Sequence, residues 1–243
     1  MDNEQATGTG IPWWRVATAV VLLLRPMDLA GASLTYLDGG FLPADWSTTK
    51  IHDTNGGCSI VTTQHSSGGN PSFYWNGVHT LAGFNTTVYF AHFPTLPSAQ
   101  WDPSILGALL SVSMQIDATC LGTAPAFSNP AVQFYLMIRQ DGTCYRASGT
   151  GARTVYMNES WQTVAQADMT AAGFVRFGAA GPAQPDFSAA GAPIEFGFAT
   201  GNNGSNRTVT WGVDNFSFSA VPEPCPALLV LLALVVPGWR RRR

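Results

Sequence analysis

The chain has 243 residues, of which 46% are hydrophobic and 11% are charged, so it is long enough for one substantial domain and too apolar to be disordered. Between Ser33 and Val221, six Lys/Arg stand against eleven Asp/Glu, which gives this segment a net charge of −5. Nucleic acid and anionic lipid are therefore not expected as partners, because both need a basic surface.

Residues 1–32 have the pattern of a signal peptide. An apolar run from Val16 to Leu24 precedes Ala30-Gly31-Ala32, which forms the A-x-A pattern of a signal-peptidase site just before Ser33. Nine residues span about 13 Å as a helix, which is short for a permanent span across a hydrocarbon core of roughly 30 Å. We therefore expect export and cleavage after Ala32. The alternative for this run is a buried core segment.

Alternation of apolar and polar residues dominates residues 33–220. In Val132–Gln140 every second side chain is apolar, and Asp141-Gly142 signals a hairpin turn into a returning strand. Strands are predicted at Ser59–Thr63, Ser72–Trp75, Thr87–Phe93, Leu109–Ile116, Val132–Gln140, Cys144–Arg146, Arg153–Met157, Trp161–Ala165, Ile194–Ala199 and Thr208–Ala220. Many short strands between Gly-rich and Asn-rich turns predict one all-β domain at 33–220, a two-sheet antiparallel β-sandwich.

The two ends of this domain resemble the first and last strands of galactose-binding-like or lectin-like jelly rolls. The resemblance rests on Phe41 with Trp46 and on the run Gly212-Val213-Asp214-Asn215-Phe216. It implies jelly-roll topology and tells more about fold than about function. Similar jelly rolls often carry a structural calcium near these strands, so the resemblance also implies a calcium site at Asp38 and Asp214. No other cofactor is expected.

The predicted domain contains Cys58, Cys120 and Cys144. In an oxidising compartment we expect one disulfide among them, with the pairing left open. No C-x-x-C spacing occurs, so metal binding by these cysteines is not expected.

The residue groups that enzymes need are missing from the sequence. Glu159 and Glu195, the glutamates of the predicted domain, are isolated from one another, whereas glycosidases need two facing carboxylates. The domain also contains four histidines, His52, His65, His79 and His92, without H-x-H or H-E-x-x-H spacing. No G-x-S-x-G motif occurs either. A non-catalytic protein is predicted.

The strand pattern also predicts candidate residues for sugar binding. Tyr135 and Arg139 point to the non-core side of their strand, and Tyr145 and Trp75 are candidate neighbours. Exposed aromatic rings on a sandwich face can stack on sugar rings. The alternative is that these rings cover the second sheet or a loop.

The C-terminus has three parts in a fixed order. Pro222-Glu223-Pro224 is followed by an apolar run from Ala227 to Trp239 and then by Arg240, Arg241, Arg242 and Arg243. This order resembles the PEP-CTERM sorting signal, which in that family is read and cut by a membrane protease called exosortase. The resemblance covers the last 23 residues, 221–243, and implies an exosortase-like partner.

The length of the apolar run fits a temporary anchor. Its thirteen residues give about 20 Å of helix against a hydrocarbon core of roughly 30 Å. Terminal arginines stay on the cytoplasmic side, which leaves the Pro-Glu-Pro stretch outside, where a protease can reach it. The alternative is an ordinary single-span anchor.

Together these features predict an exported, non-catalytic surface or extracellular-matrix protein, associated with exopolysaccharide, that is transiently anchored in the inner membrane and processed by an exosortase-like protease. The alternatives are a carbohydrate-binding, lectin-like module and a glycan-active enzyme.

Overall fold

A computed structural model of the chain describes residues 33–125, 130–157, 159–178 and 180–224. The predicted signal peptide at 1–32, with Ala30 and Ala32, lies outside the described residues. So do the apolar run of the tail and Arg240–Arg243. Ser33, the predicted new N-terminus, is exposed and directly precedes the first strand. Within the described ranges, no helix is long and apolar enough to cross a bilayer.

The described residues form fourteen strands. They are β1 (Leu34–Asp38), β2 (Trp46–Asp53), β3 (Ser59–His65), β4 (Tyr74–Leu81), β5 (Thr86–Pro94), β6 (Gln100–Trp101), β7 (Leu109–Ala124), β8 (Ala131–Gln140), β9 (Thr143–Ala147), β10 (Ala152–Tyr156), β11 (Gln162–Met169), β12 (Phe174–Arg176), β13 (Ile194–Gly204) and β14 (Arg207–Pro222). A short α-helix spans Pro103–Leu106, and 3-10 turns occur at Pro43–Asp45, Pro97–Ala99, Gly149–Gly151 and Ala171–Gly173.

The strands form two antiparallel sheets. The six-stranded sheet has the order β11-β7-β14-β4-β3, with β1 also paired to β14. The eight-stranded sheet has the order β12-β9-β8-β13-β5-β2, with β10 paired to β8 and β6 paired to β13. The chain passes between the two sheets repeatedly, for example between β4 and β5, between β7 and β8, and between β13 and β14, as in a jelly roll. The predicted all-β, two-sheet sandwich is confirmed.

Large aromatic side chains from both sheets fill the space between them. Trp46 and Trp75 pack with ring centroids 5.2 Å apart, and Trp46 also contacts Phe198 at 5.6 Å. Trp211 is fully buried, and a Cβ on Gly77 of the neighbouring strand would lie 2.0 Å from its ring. Gly77 is therefore the residue that makes room for the Trp211 indole.

The last strand extends beyond the predicted domain boundary at Ala220. Pro222 lies in β14 opposite Leu109, and the Glu223 backbone N–H donates to the Ala108 carbonyl oxygen at 2.8 Å. The start of the Pro-Glu-Pro stretch is therefore held on the six-stranded sheet.

The expected disulfide is not formed. Cys58, Cys120 and Cys144 are all free and buried. Cys120 packs in the core between the sheets, whereas Cys144 belongs to a cluster on the other side of the eight-stranded sheet, so the sheet separates their thiols. Burial raises the pKa of the Cys120 thiol to about 11.

Candidate functional site

The outer face of the eight-stranded sheet is lined by small residues along its central strand, β13. Gly197, Ala199 and Gly201 point outward, because they alternate with core residues such as Phe196 and Phe198. A Cβ on Gly201 would lie 2.2 Å from the Tyr89 ring. The small size of these residues makes room for aromatic rings from neighbouring strands.

These rings and one methionine form a cluster that we call the aromatic face. Its members are Tyr89, Phe93, Tyr135, Met137 and Phe177. The Phe177 ring centroid lies 4.9 Å from that of Tyr89 and 5.8 Å from that of Tyr135. Phe93 is 1% exposed, whereas Tyr89 and Phe177 are half-buried. Tyr89 and Phe177 therefore offer ring surface to solvent, above a buried layer of Phe93 and Met137.

Hydrogen bonds fix the two tyrosines of the aromatic face. The Tyr89 and Tyr135 hydroxyls both donate to Gln133 Oε1, at 2.9 and 3.0 Å. Burial, together with the neighbouring Tyr135, raises the pKa of the Tyr89 phenol to about 12. The Tyr89 phenol is therefore neutral at physiological pH, and the shared acceptor Gln133 fixes the orientation of both hydroxyls.

Two arginines border the aromatic face in different ways. Arg139 makes a two-pronged ion pair with Glu195, whose Nη2–Oε1 distance is 2.9 Å, and its guanidinium lies 4.5 Å from the Phe93 ring centroid. The hydrogen bond to Glu195 raises the pKa of Arg139. The Arg146 guanidinium lies 5.4 Å from the ring centroids of both Tyr135 and Phe177. The face thus combines rings, an amide and two guanidiniums.

Two of the four residues predicted to bind sugar lie at this face. Tyr135 and Arg139 point outward from β8, although Tyr135 is only 9% exposed. Trp75 is 1% exposed and lies in the core between the sheets, so it cannot stack on a sugar. Tyr145 is 2% exposed and shares the core side with its partner Ile138. The predicted roles of Trp75 and Tyr145 are wrong, because both side chains point inward.

A pocket with a cavity volume of about 200 Å³ lies at the end of the β8–β9 hairpin. Tyr145 contributes to its lining together with Gln140 and Asp186. Gln140 is fully engaged, because its amide N–H groups donate to the backbone carbonyls of Asp186 and Ala192, and its Oε1 accepts from the Asp186 backbone N–H. Gln140 therefore holds the loop that precedes β13 against the β8–β9 hairpin.

Asp38 and Asp214 do not fit the calcium site implied for them. Asp38 Oδ1 accepts the backbone N–H groups of Gly40 and Phe41, both at 2.8 Å, and Oδ2 accepts the Trp46 indole N–H at 2.7 Å. Asp214 accepts the backbone N–H of Asn70 at 2.6 Å. Burial raises the pKa of Asp214, which disfavours its charged form.

Both carboxylates therefore act as hydrogen-bond acceptors that tie loops to strands. In the part of the chain that the structure describes, no group of three or more His, Cys, Asp or Glu side chains is arranged to hold a metal ion.

The structure also brings two histidines together, which sequence reasoning missed. His79 Nε2 and His92 Nε2 lie 2.9 and 3.0 Å from the same Thr200 hydroxyl, and Thr48 Oγ1 lies 3.0 Å from His92 Nδ1. Burial lowers the pKa of His79 to about 3 and holds that of His92 well below its usual value. Both are fully buried, so this polar chain contributes to the core rather than to a site open to ligands.

The architecture defines the class of protein as a jelly-roll β-sandwich with a ring-lined outer face. No protein-family model matches the chain, and no curated protein does. Among solved structures it is similar to the family 11 carbohydrate-binding module of a cellulosomal cellulase of Clostridium thermocellum, with 14% identity over 74% of this chain and 88% of that chain and a TM-score of 0.40.

A second similar structure is a xylan-binding domain from Paenibacillus barcinonensis, with 10% identity over 81% of this chain and 99% of that chain and a TM-score of 0.36. A third is a carbohydrate-binding module that recognises mannan, with 8% identity over 77% of this chain and 98% of that chain and a TM-score of 0.36. At these identities the likeness is one of fold, and the roles of residues in this chain follow from its own geometry.

Proposed function

We propose that the sandwich is a non-catalytic carbohydrate-binding domain that uses the aromatic face. The observation that carries this proposal is the outward-facing set of Tyr89, Tyr135 and Phe177 beside Gln133 and the two arginines. Sugar rings present apolar C–H faces that pack on aromatic rings, and their hydroxyls pair with planar amide and guanidinium groups. Both kinds of partner lie side by side on this face.

The carboxylates of the domain favour binding over catalysis. Glu195, the glutamate nearest to the aromatic face, has both oxygens occupied by Arg139. Glu159 accepts the Tyr156 backbone N–H at 2.9 Å and lies 3.7 Å from Arg153. A glycosidase needs one carboxyl group that stays protonated and a second that faces it across the cleft. Two ion-paired glutamates, one on β13 and one in the turn between β10 and β11, do not suit that chemistry.

Binding is tested by affinity electrophoresis of the purified protein in gels that contain soluble polysaccharides. We expect retardation by at least one of them, and loss of that retardation in Tyr89→Ala and Phe177→Ala. Phe84→Ala is the matched control, because Phe84 is 84% exposed in the β4–β5 turn and is not part of the aromatic face. Retardation that survives in both ring variants, or that depends on Phe84, contradicts the proposed site.

We also propose that the protein is exported to the cell surface or extracellular matrix and that residues 221–243 are a sorting signal handled by an exosortase-like protease. The order of Pro222-Glu223-Pro224, the apolar run and Arg240–Arg243 supports this proposal. The described part of the motif continues directly from β14, and Glu223 and Pro224 are exposed. The predicted sorting signal therefore begins where the last strand of the sandwich ends.

The processing proposal is tested by mass spectrometry of the mature protein from its own organism. We expect an N-terminus at Ser33 and a C-terminus that lacks the arginine cluster. Alanine at Pro222, Glu223 and Pro224 should cause a full-length species to accumulate in the membrane. A native protein that keeps Arg240–Arg243 contradicts processing and leaves the ordinary anchor as the explanation.

A further inference from the structure

Among the described basic residues, Arg146 differs from the others because its side chain has no acidic or hydrogen-bonding partner there. It lies in β9, opposite Met137 of β8 and Val175 of β12, and it is half-buried. Among the described residues its guanidinium forms no ion pair, and none of the side-chain hydrogen bonds found there involves it. Its guanidinium is held only by the faces of Tyr135 and Phe177, which fix its position and leave its N–H donors unused.

Arg139 on the same face provides the contrast. Its charge is neutralised by the two-pronged pair with Glu195, and its guanidinium covers Phe93. The aromatic face therefore carries one neutral ion pair and one uncompensated positive charge. A ligand that covers this face would bury the Arg146 charge, which is costly unless the ligand supplies a counter-charge.

The remaining polar groups of the face also favour a ligand that accepts hydrogen bonds. Gln133 Oε1 already accepts from both tyrosine hydroxyls, so the amide N–H groups of Gln133 are its remaining polar function. Arg146 and Gln133 thus provide donors that lack protein acceptors. A guanidinium binds planar anions in two-pronged fashion, and aromatic stacking keeps its plane oriented for that purpose.

We propose that the aromatic face selects glycans that carry an anionic substituent, a carboxylate or a sulfate, and that Arg146 binds that substituent while Tyr89 and Phe177 contact the sugar rings. This inference rests on the proposed carbohydrate-binding function and narrows its ligand class. The overall charge of −5 on residues 33–221 does not oppose it at physiological salt, because charges beyond about 8 Å are largely screened.

The test compares two anionic glycans with a neutral one that shares the backbone of the first. Isothermal titration of the purified protein is performed with polygalacturonate, with its fully methyl-esterified form, and with a sulfated galactan. We expect at least one of the two anionic polymers to bind roughly ten- to hundredfold more tightly than the ester, as charge-assisted hydrogen bonds imply. The two anionic polymers distinguish a carboxylate ligand from a sulfate ligand.

Variants locate the charge effect. Arg146→Gln should remove most of the preference for the anionic polymer and leave binding of the ester within a factor of about two. Arg146→Lys keeps the charge but not the planar fork, and it should retain part of the preference. Arg153→Gln is the matched control, because Arg153 is an exposed arginine that lies 3.7 Å from Glu159. Circular dichroism confirms that each variant keeps the β fold.

The outcomes separate this inference from the proposed function. Equal affinity for charged and esterified polymers, or equal loss of both in Arg146→Gln, overturns anion selection, while ring-dependent binding of the ester still supports the carbohydrate-binding proposal. The inference is also overturned if neither anionic polymer binds more tightly than the ester. Binding that is unchanged in Tyr89→Ala and Phe177→Ala overturns the proposed function itself.

Discussion

The buried histidine pair predicts a steep loss of stability on mild acidification. His79 and His92 share the Thr200 hydroxyl, which can accept from the Nε2–H of one imidazole and donate to Nε2 of the other only while that second nitrogen is unprotonated. His79 Nδ1 is buried without a hydrogen-bond partner, so an added proton there would find no acceptor among the described residues. Protonation of either ring would place an unpaired charge in the core.

The sign and size of the effect follow from proton linkage. The pKa of His79 falls to about 3 in the folded state through burial, and that of His92 is lowered by burial and by His79. In the unfolded chain both regain a pKa of about 6.5, so the unfolded state binds more protons below that pH. The contribution of the two histidines to the free energy of unfolding is therefore fully present above about pH 6.5. It decreases as the pH drops toward their pKa values in the folded state. Between pH 7 and 5 the loss from His79 is about 2 kcal/mol, and His92 adds to it in the same direction.

The assay is urea unfolding followed by tryptophan fluorescence at pH 7, 6 and 5. The range stops at pH 5 to limit the contribution of carboxylates such as Asp53. Hydrogen bonds from Lys50 and backbone N–H groups lower the pKa of Asp53, so its protonation would destabilise the fold at still lower pH. His79→Gln should remove about half of the pH dependence, and His65→Gln, at an exposed position, should leave it unchanged. A free energy of unfolding that is equal at pH 7 and 5 would refute the reasoning, as would a His79→Gln slope that matches the wild type.

Three further predictions concern the core and the strand ends. Gly77→Ala should lower the free energy of unfolding by about 1–3 kcal/mol, because its Cβ would lie 2.0 Å from the Trp211 ring, whereas Gly122→Ala, with nothing within 4 Å, serves as a control in urea titrations. Asp38→Asn should cost about 1–3 kcal/mol by weakening its bonds to the Trp46 indole and two backbone N–H groups, while EDTA leaves the wild-type Tm unchanged. The three buried cysteines should resist iodoacetamide at pH 8 until urea is added, as peptide mapping by mass spectrometry would show, because burial raises their pKa values.

Strand prediction succeeded where alternation was long and failed where the strand is polar. Val132–Gln140 alternates over its whole length and forms β8 almost unchanged. β2, with the sequence WSTTKIHD, was missed because it lies at the edge of the eight-stranded sheet and contributes mainly Trp46 to the core. The segment Thr170–Ala192, in which no strand is predicted, contains β12, which is only three residues long. Edge strands bury little apolar surface, so their sequences carry little periodicity.

The candidate site, too, could be predicted only where the apolar alternation along a strand is long. The orientation of Tyr135 and Arg139 could be predicted, because the apolar residues between them define the core side of β8. Tyr145 lies in a strand of five residues, and its direction follows only from its pairing with Ile138. The contact between His79 and His92 could not be predicted, because it depends on which strands face each other across the sandwich.

β13 explains why the aromatic face lies on the eight-stranded sheet. Its sequence from Ile194 alternates large inward residues with Gly197, Ala199 and Gly201 on the outward side. The inward residues hold the sandwich together, while the small outward ones leave the space that the rings of Tyr89 and Phe93 occupy. The inward residues of β13 therefore belong to the core, and its outward residues form the base of the aromatic face. Because both sets belong to one rigid strand at the centre of the sheet, the rings are held in place before any ligand arrives, which reduces the entropy lost on binding.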